Sequence, residues 1–122
     1  MTNPLEPPSS PITTPVLIPF AKAGVRHTNL LDGLPQTHVL RSGQITLIPG
    51  DSVSLHSTQE GEELIIPLSG RGQLNGPGMD RLPVEPGGML FIPPQTWHTV
   101  VNTGDEPLVY VYVYGIIPKE AE

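Results

Sequence analysis

Apolar positions along this chain come in short runs that alternate with polar ones, and almost every run ends at glycine or proline. The clearest run lies near the C-terminal end, where Val109, Val111 and Val113 alternate with Tyr110, Tyr112 and Tyr114. A period of two belongs to a β-strand and puts valines on one face and tyrosines on the other. Both faces are bulky, so both are expected to be covered. One reading is a core strand with one face at a subunit contact; the other has the tyrosines lining a ligand cavity. Similar patterning predicts strands at about 36–41, 43–48, 52–58, 63–69, 72–74, 81–84, 88–92 and 97–102. Turns are expected at Ser42-Gly43, Pro49-Gly50, Gly61, Asn75-Gly76-Pro77-Gly78, Pro86-Gly87-Gly88 and Thr103-Gly104-Asp105. Val16–Phe20 reads as a further edge strand, because Pro19 removes a ladder donor, or as a strand that pairs with a second subunit.

The spacing of the breakers excludes most helices. The longest stretch free of glycine and proline is the ten residues Asp51–Glu60, shorter than an average helix of about 11–12 residues. An all-β chain of eight or more short strands predicts a sandwich or barrel. At 122 residues it forms one domain, divided as a Pro-rich arm (1–15), a barrel (16–116) and a short tail (117–122).

Composition narrows the chemistry. There is no cysteine, so disulfides, thiolate metal sites and cysteine nucleophiles are excluded. The six Lys and Arg residues are scattered and the formal net charge is −6, so neither nucleic acid nor an anionic membrane surface is an expected partner. No apolar run approaches the roughly 18–20 residues that span a bilayer, and no secretory signal is seen, which makes the cytoplasm the expected location.

Two patterns then stand out. The first is Gly50-x5-His56-x-Thr58-x4-Glu63-x6-Gly70; the second is Gly87-x5-Pro93-x-Gln95-x2-His98-x3-Asn102. They set two imidazoles and a carboxylate among short strands. If residues 52–58 form one strand, Ser54, His56 and Thr58 share a face and Val53 and Leu55 the other. Together the patterns resemble the two motifs of the cupin superfamily. The resemblance implies a jelly-roll β-barrel with a divalent metal inside, held by His56, Glu63 and His98. Such donors suit Fe, Mn, Ni, Cu or Zn, and two histidines with one carboxylate suit non-haem Fe(II). The chain departs from the family at Thr58, where a second histidine is usual, and at Gln95, where glycine is usual. The first departure leaves three protein ligands and a more open or even metal-free site; the second puts an amide near the barrel mouth.

Neighbouring residues complete the expectation. Glu62 faces away from Glu63 along a strand. Glu62, Gln59 and His38 are the candidates for moving a proton. The expected pocket comprises Ser54, Thr58, Gln59, His38, Met89, Phe91 and Val100. His27 is expected to face solvent, Trp97 to pack away from His98, and Arg41, Arg71 and Arg81 to lie on the surface, where they bind an anionic substrate only if they sit at the barrel mouth. The resulting functional expectation is a metal-dependent enzyme on a small, mostly uncharged organic substrate, either a dioxygenase (an oxidoreductase) or an isomerase or lyase. The alternative is a non-enzymatic cupin that binds a small ligand or metal. A homodimer is expected, because Val53, Leu55 and Val16–Phe20 need apolar cover.

Overall fold

The computed structural model describes residues 11–22 and 24–116. Among them nine strands follow one another: β1 (His27–Asp32), β2 (Leu40–Leu47), β3 (His56–Ser57), β4 (Gly61–Ser69), β5 (Gly72–Asn75), β6 (Leu82–Val84), β7 (Leu90–Ile92), β8 (Trp97–Asn102) and β9 (Leu108–Ile116). There is no helix among the described residues, and so none long and apolar enough to cross a membrane. All pairings are antiparallel. One sheet runs β1-β2-β9-β4-β7 and the other β3-β8-β5-β6, the two-sheet arrangement of a jelly-roll barrel.

The core lies where the two inner faces meet. Leu47, Ile65, Ile92 and Leu108 from the larger sheet pack with Leu74, Val84 and Val100 from the smaller, each no more than 2% exposed. Burying each such side chain contributes roughly 1.5–3 kcal/mol, so this layer holds the sheets together with no disulfide. Asn102 closes the end of β8. Its Nδ2 donates to the carbonyls of Leu47 and Glu106, both at 2.8 Å, and its Oδ1 accepts from the Gly104 amide at 2.8 Å.

Four expectations need correction. The turn at Ser42-Gly43 does not exist; these residues lie inside β2 and pair with Val113 and Tyr112. Gly43 is there for space, since a Cβ would stand 2.6 Å from the Tyr112 ring. The strand at 52–58 shrinks to His56–Ser57, with an isolated bridge between Ser52 and Val101. Residues 16–20 form no strand. Val16, Leu17 and Phe20 are exposed, Pro15 and Pro19 withhold two ladder amides, and the edge they would extend is already taken by β1. Instead Gln44 ties down the segment's end, accepting from the Ala21 amide and donating to its carbonyl, both at 2.9 Å. Finally, β1 was not foreseen. Of the arm, residues 11–15 carry no regular secondary structure; residues 1–10 and the tail 117–122 lie outside the described residues.

Candidate metal centre

The site is built where the two sheets approach. His56 on β3 and His98 on β8 are direct cross-strand partners, and their ring centroids are 4.3 Å apart with planes tilted by 56°. Glu63 comes from β4, in the other sheet, and its Oε1 lies 3.4 Å from His98 Nε2. One donor atom from each of the three residues falls within 4.8 Å of the others. Glu63 faces inward because Glu62, its chain neighbour, points to the opposite side of β4 and is exposed.

Both imidazoles are oriented in the same way. His56 Nδ1 is 2.7 Å from the Ser54 carbonyl and His98 Nδ1 is 2.9 Å from the Thr96 carbonyl. A carbonyl only accepts, so each Nδ1 carries the proton and each Nε2 presents a lone pair. This is how metal-ligating histidines are commonly held. His98 is 1% exposed, and its Nε2 has no hydrogen-bond partner. Burial pushes the His98 pKa down, but the Glu63 carboxylate and the Thr96 carbonyl outweigh it, and the net shift is upward. Surroundings that favour a proton on this ring also favour a cation beside it. A buried, unpartnered nitrogen next to a carboxylate and a second imidazole fits a divalent transition metal.

Thr58 is not part of this centre. It is fully buried, and its hydroxyl donates to the Pro93 carbonyl at 2.6 Å and accepts from the Thr96 amide at 3.1 Å. Its own carbonyl accepts from the Tyr114 hydroxyl at 2.7 Å. The residue in the place of the family's second histidine is a clamp between the end of β3 and the Pro93-Pro94 turn. It offers no ligand atom to the cavity.

Beside the three candidate ligands lies a cavity of about 590 Å³, lined among others by His56, Glu63, Gln59, Ser57, Val53, Ile45 and Arg41. Tyr110, Tyr112 and Tyr114 form one wall, which favours the cavity reading of the Val/Tyr strand. Tyr112 shares a 2.9 Å hydrogen bond with His27 Nε2. Burial, with the Glu63 charge added, pushes the Tyr110 pKa far up and that of Tyr112 up, Arg41 partly opposing it at Tyr112. Both phenols therefore stay protonated donors.

Of the expected pocket residues only Gln59 lines this cavity. Ser54 and His38 are exposed and outside it; Ser54 serves His56 through its carbonyl instead. Met89 and Phe91 are 66% and 55% exposed on the outside, whereas Val100 is core. Glu62 and Phe91 border a separate apolar groove. Neither Glu62 nor His38 borders the cavity, whereas Gln59 does. Val53 was expected on the outer face and instead lines the cavity. Trp97 is 55% exposed, and Gln95 lies outside the cavity with a positive φ of 57°. Arg71 and Arg81 share a distant surface depression. His27 and Arg41 are exposed as expected, but they border the cavity together with Asn29 and Asp32, which the sequence reading did not foresee. The available signal was the tyrosine strand, whose polar face needs neighbours on β2 and β1.

A two-sheet antiparallel barrel with two histidines and a glutamate converging beside a solvent-open cavity defines a cupin-type protein. The sequence matches the model of the cupin domain family over residues 43–114, more than half of its length, and the chain belongs to that family. Among curated proteins it is similar to the glucose-6-phosphate isomerases of Pyrococcus abyssi (36% identical over 63 residues, covering 48% of this chain and 33% of that protein) and Pyrococcus furiosus (33% identical over 63 residues, with the same coverage). The match therefore spans only about a third of the length of these relatives. Among solved structures it resembles a Cupin 2 conserved barrel domain protein from Salinispora arenicola (TM-score 0.68, 24% identity, 84% of this chain and 90% of that one). It also resembles a predicted oxalate decarboxylase from Thermotoga maritima (TM-score 0.67, 26% identity, 75% of this chain and 79% of that one).

Proposed function

We propose that this cupin is a metal-dependent enzyme of the isomerase or lyase type acting on a small polar molecule. The observation that carries the reading is the grouping of two imidazoles and one carboxylate within 4.8 Å, with His56 and Glu63 bordering a tyrosine-walled cavity and His98 buried behind them. A divalent metal held by His56, Glu63 and His98 would supply Lewis-acid polarisation of a substrate oxygen. The chain's own groups do the rest. Tyr110 and Tyr112 donate hydrogen bonds to substrate oxygens, Gln59 contacts the ligand at the wall, and the His27–Tyr112 pair holds a proton within hydrogen-bond reach of the cavity. The wall mixes polar groups with Leu31, Ile45 and Val53, which supports a small polar substrate beside the mostly uncharged one expected. The isomerase relatives support the reaction type, and the dioxygenase remains the reading to be excluded.

The test is metal content after supplementation with Fe, Mn, Ni, Cu and Zn, followed by turnover with and without oxygen. Wild type should hold close to one equivalent, and His56→Ala and His98→Ala should hold far less. Equal, low content in all three would end the metal reading. Turnover that requires oxygen would move the assignment to a dioxygenase, and ligand stabilisation without turnover would leave a binding module. We also propose a homodimer joined through the outer groove bordered by Val39, Leu40, Leu64, Phe91 and Val113; a monomer in sedimentation at micromolar concentration would refute it.

A further inference from the structure

Among the described residues, Arg41, an exposed side chain, is the one basic group besides the histidines that borders the cavity. Its guanidinium lies over the Tyr114 ring, 4.9 Å from the centroid. Its aliphatic stem crosses Gly33, where a Cβ would come within 2.9 Å of Arg41 Cγ and where φ is +82°. The arginine is therefore positioned from two sides, by an aromatic face and by a residue that leaves it room. It makes no ion pair with any carboxylate among the described residues, although Asp32 is its cross-strand partner and borders the same cavity.

Register places this guanidinium relative to the candidate metal centre. Arg41 pairs with Tyr114, and Tyr114 pairs with Glu63. The three residues form one row across β2, β9 and β4 and so share a face of the sheet. Two strand spacings, about 10 Å, separate the backbones of Arg41 and Glu63, and both side chains border the space between. A fork-shaped cation at one end and an oxygen-binding centre at the other select a ligand with a carboxylate at one end and an oxygen a few bonds away.

We infer that the cavity takes a small hydroxy- or oxo-carboxylate, with its carboxylate on Arg41 and its second oxygen at the His56–Glu63–His98 end. This inference rests on the proposed function for its ligand-binding centre and adds the substrate class. Arginine suits the task because its planar donors meet a carboxylate two at a time, which a lysine ammonium does not. Asp32 and Glu63 disfavour more highly charged anions, which is why a monocarboxylate is assigned rather than a phosphate.

Titration calorimetry of the metal-supplemented protein with glycolate, neutral glycolamide and inorganic phosphate tests the inference. Glycolate should bind wild type more tightly than glycolamide or phosphate does. Arg41→Gln should weaken glycolate about tenfold or more, leave glycolamide unchanged and leave metal content at the wild-type level. Arg41→Lys should fall between them, and it retains both charge and stem should the glutamine variant fold poorly. Equal glycolate affinity in wild type and Arg41→Gln, no glycolate binding to wild type, or tighter binding of glycolamide or phosphate would overturn it. If Arg41 governs glycolate binding in protein that takes up no metal, the carboxylate assignment stands and the metal reading alone falls.

Discussion

Replacing Thr58 by valine keeps the shape of the side chain and removes only its hydroxyl. That hydroxyl donates to the Pro93 carbonyl and accepts from the Thr96 amide inside a fully buried position. A hydrogen bond contributes about 1 kcal/mol net, and a buried partner left unsatisfied costs about 1–3 kcal/mol. Pro93 is exposed, so water can replace the donor it loses, whereas the Thr96 amide is half-buried and less well compensated. The expected loss is about 1–2 kcal/mol, or roughly 4–8 °C in Tm per kcal/mol for a domain near this size. The same change loosens Thr96, whose carbonyl accepts from the Thr58 amide at 3.2 Å and orients His98 through Nδ1 at 2.9 Å. Metal affinity should therefore fall about 10- to 100-fold, the usual effect of removing support for a ligand. Urea denaturation of metal-free protein and competitive metal titration measure the two effects separately. A Thr58→Val protein within about 0.5 kcal/mol of wild type, the range of an inert surface substitution, would refute the clamp. So would tighter metal binding by Thr58→His, because the side chain there does not reach the cavity.

Asn102→Ala removes three hydrogen bonds from a residue 2% exposed, and should cost about 2–4 kcal/mol in a denaturant titration. Gly43→Ala places a methyl 2.6 Å from the Tyr112 ring; it should cost about 1–3 kcal/mol as overpacking and change the near-ultraviolet circular dichroism of the tyrosines. The Arg26 guanidinium, with the Ser52 amide, holds the Asp51 carboxyl below its ordinary value of 3.8. Its small stabilisation is thus present above that value and lost as pH falls below it. Asp51→Asn should leave the acid limb of the unfolding curve shallower, and an unchanged limb would show that the pair contributes nothing.

Much of the site was legible because metal chemistry needs particular residue types at spacings that a strand imposes. His56, Glu63 and His98 each carry a donor, and the alternation at Glu62–Glu63 decides which carboxylate turns inward. Other features depend on contacts distant in sequence. Ser42-Gly43 carries the local signature of a turn, but Gly43 is needed by Tyr112, some seventy residues later. The first strand was hidden because a register shift between Asn29 and Leu31 breaks its alternation. Residues 52–58 alternate well yet mostly leave the ladder, so Thr58 turns into the interior and not toward His56. Arg41 is the exposed cation the sequence suggests, but sequence does not say that Gly33 and Tyr114 place it at the cavity border.

The tyrosines of β9 stand above glycines: Gly43 beside the Tyr112 ring, and Gly61 against the tip of Tyr114. The volume of the cavity is therefore set by pairs of positions on neighbouring strands. At Gly43 a larger residue is blocked by Tyr112, so a smaller residue at Tyr112 leaves a void that a side chain at position 43 can refill; at Gly61 the Gly115 carbonyl stands 2.7 Å from a Cβ and keeps the position small. Divergence toward a new ligand can thus proceed by compensated exchanges within one sheet, with His56, Glu63 and His98 untouched. Specificity and the candidate metal chemistry are separable traits in this barrel, and the first can drift while the second is kept.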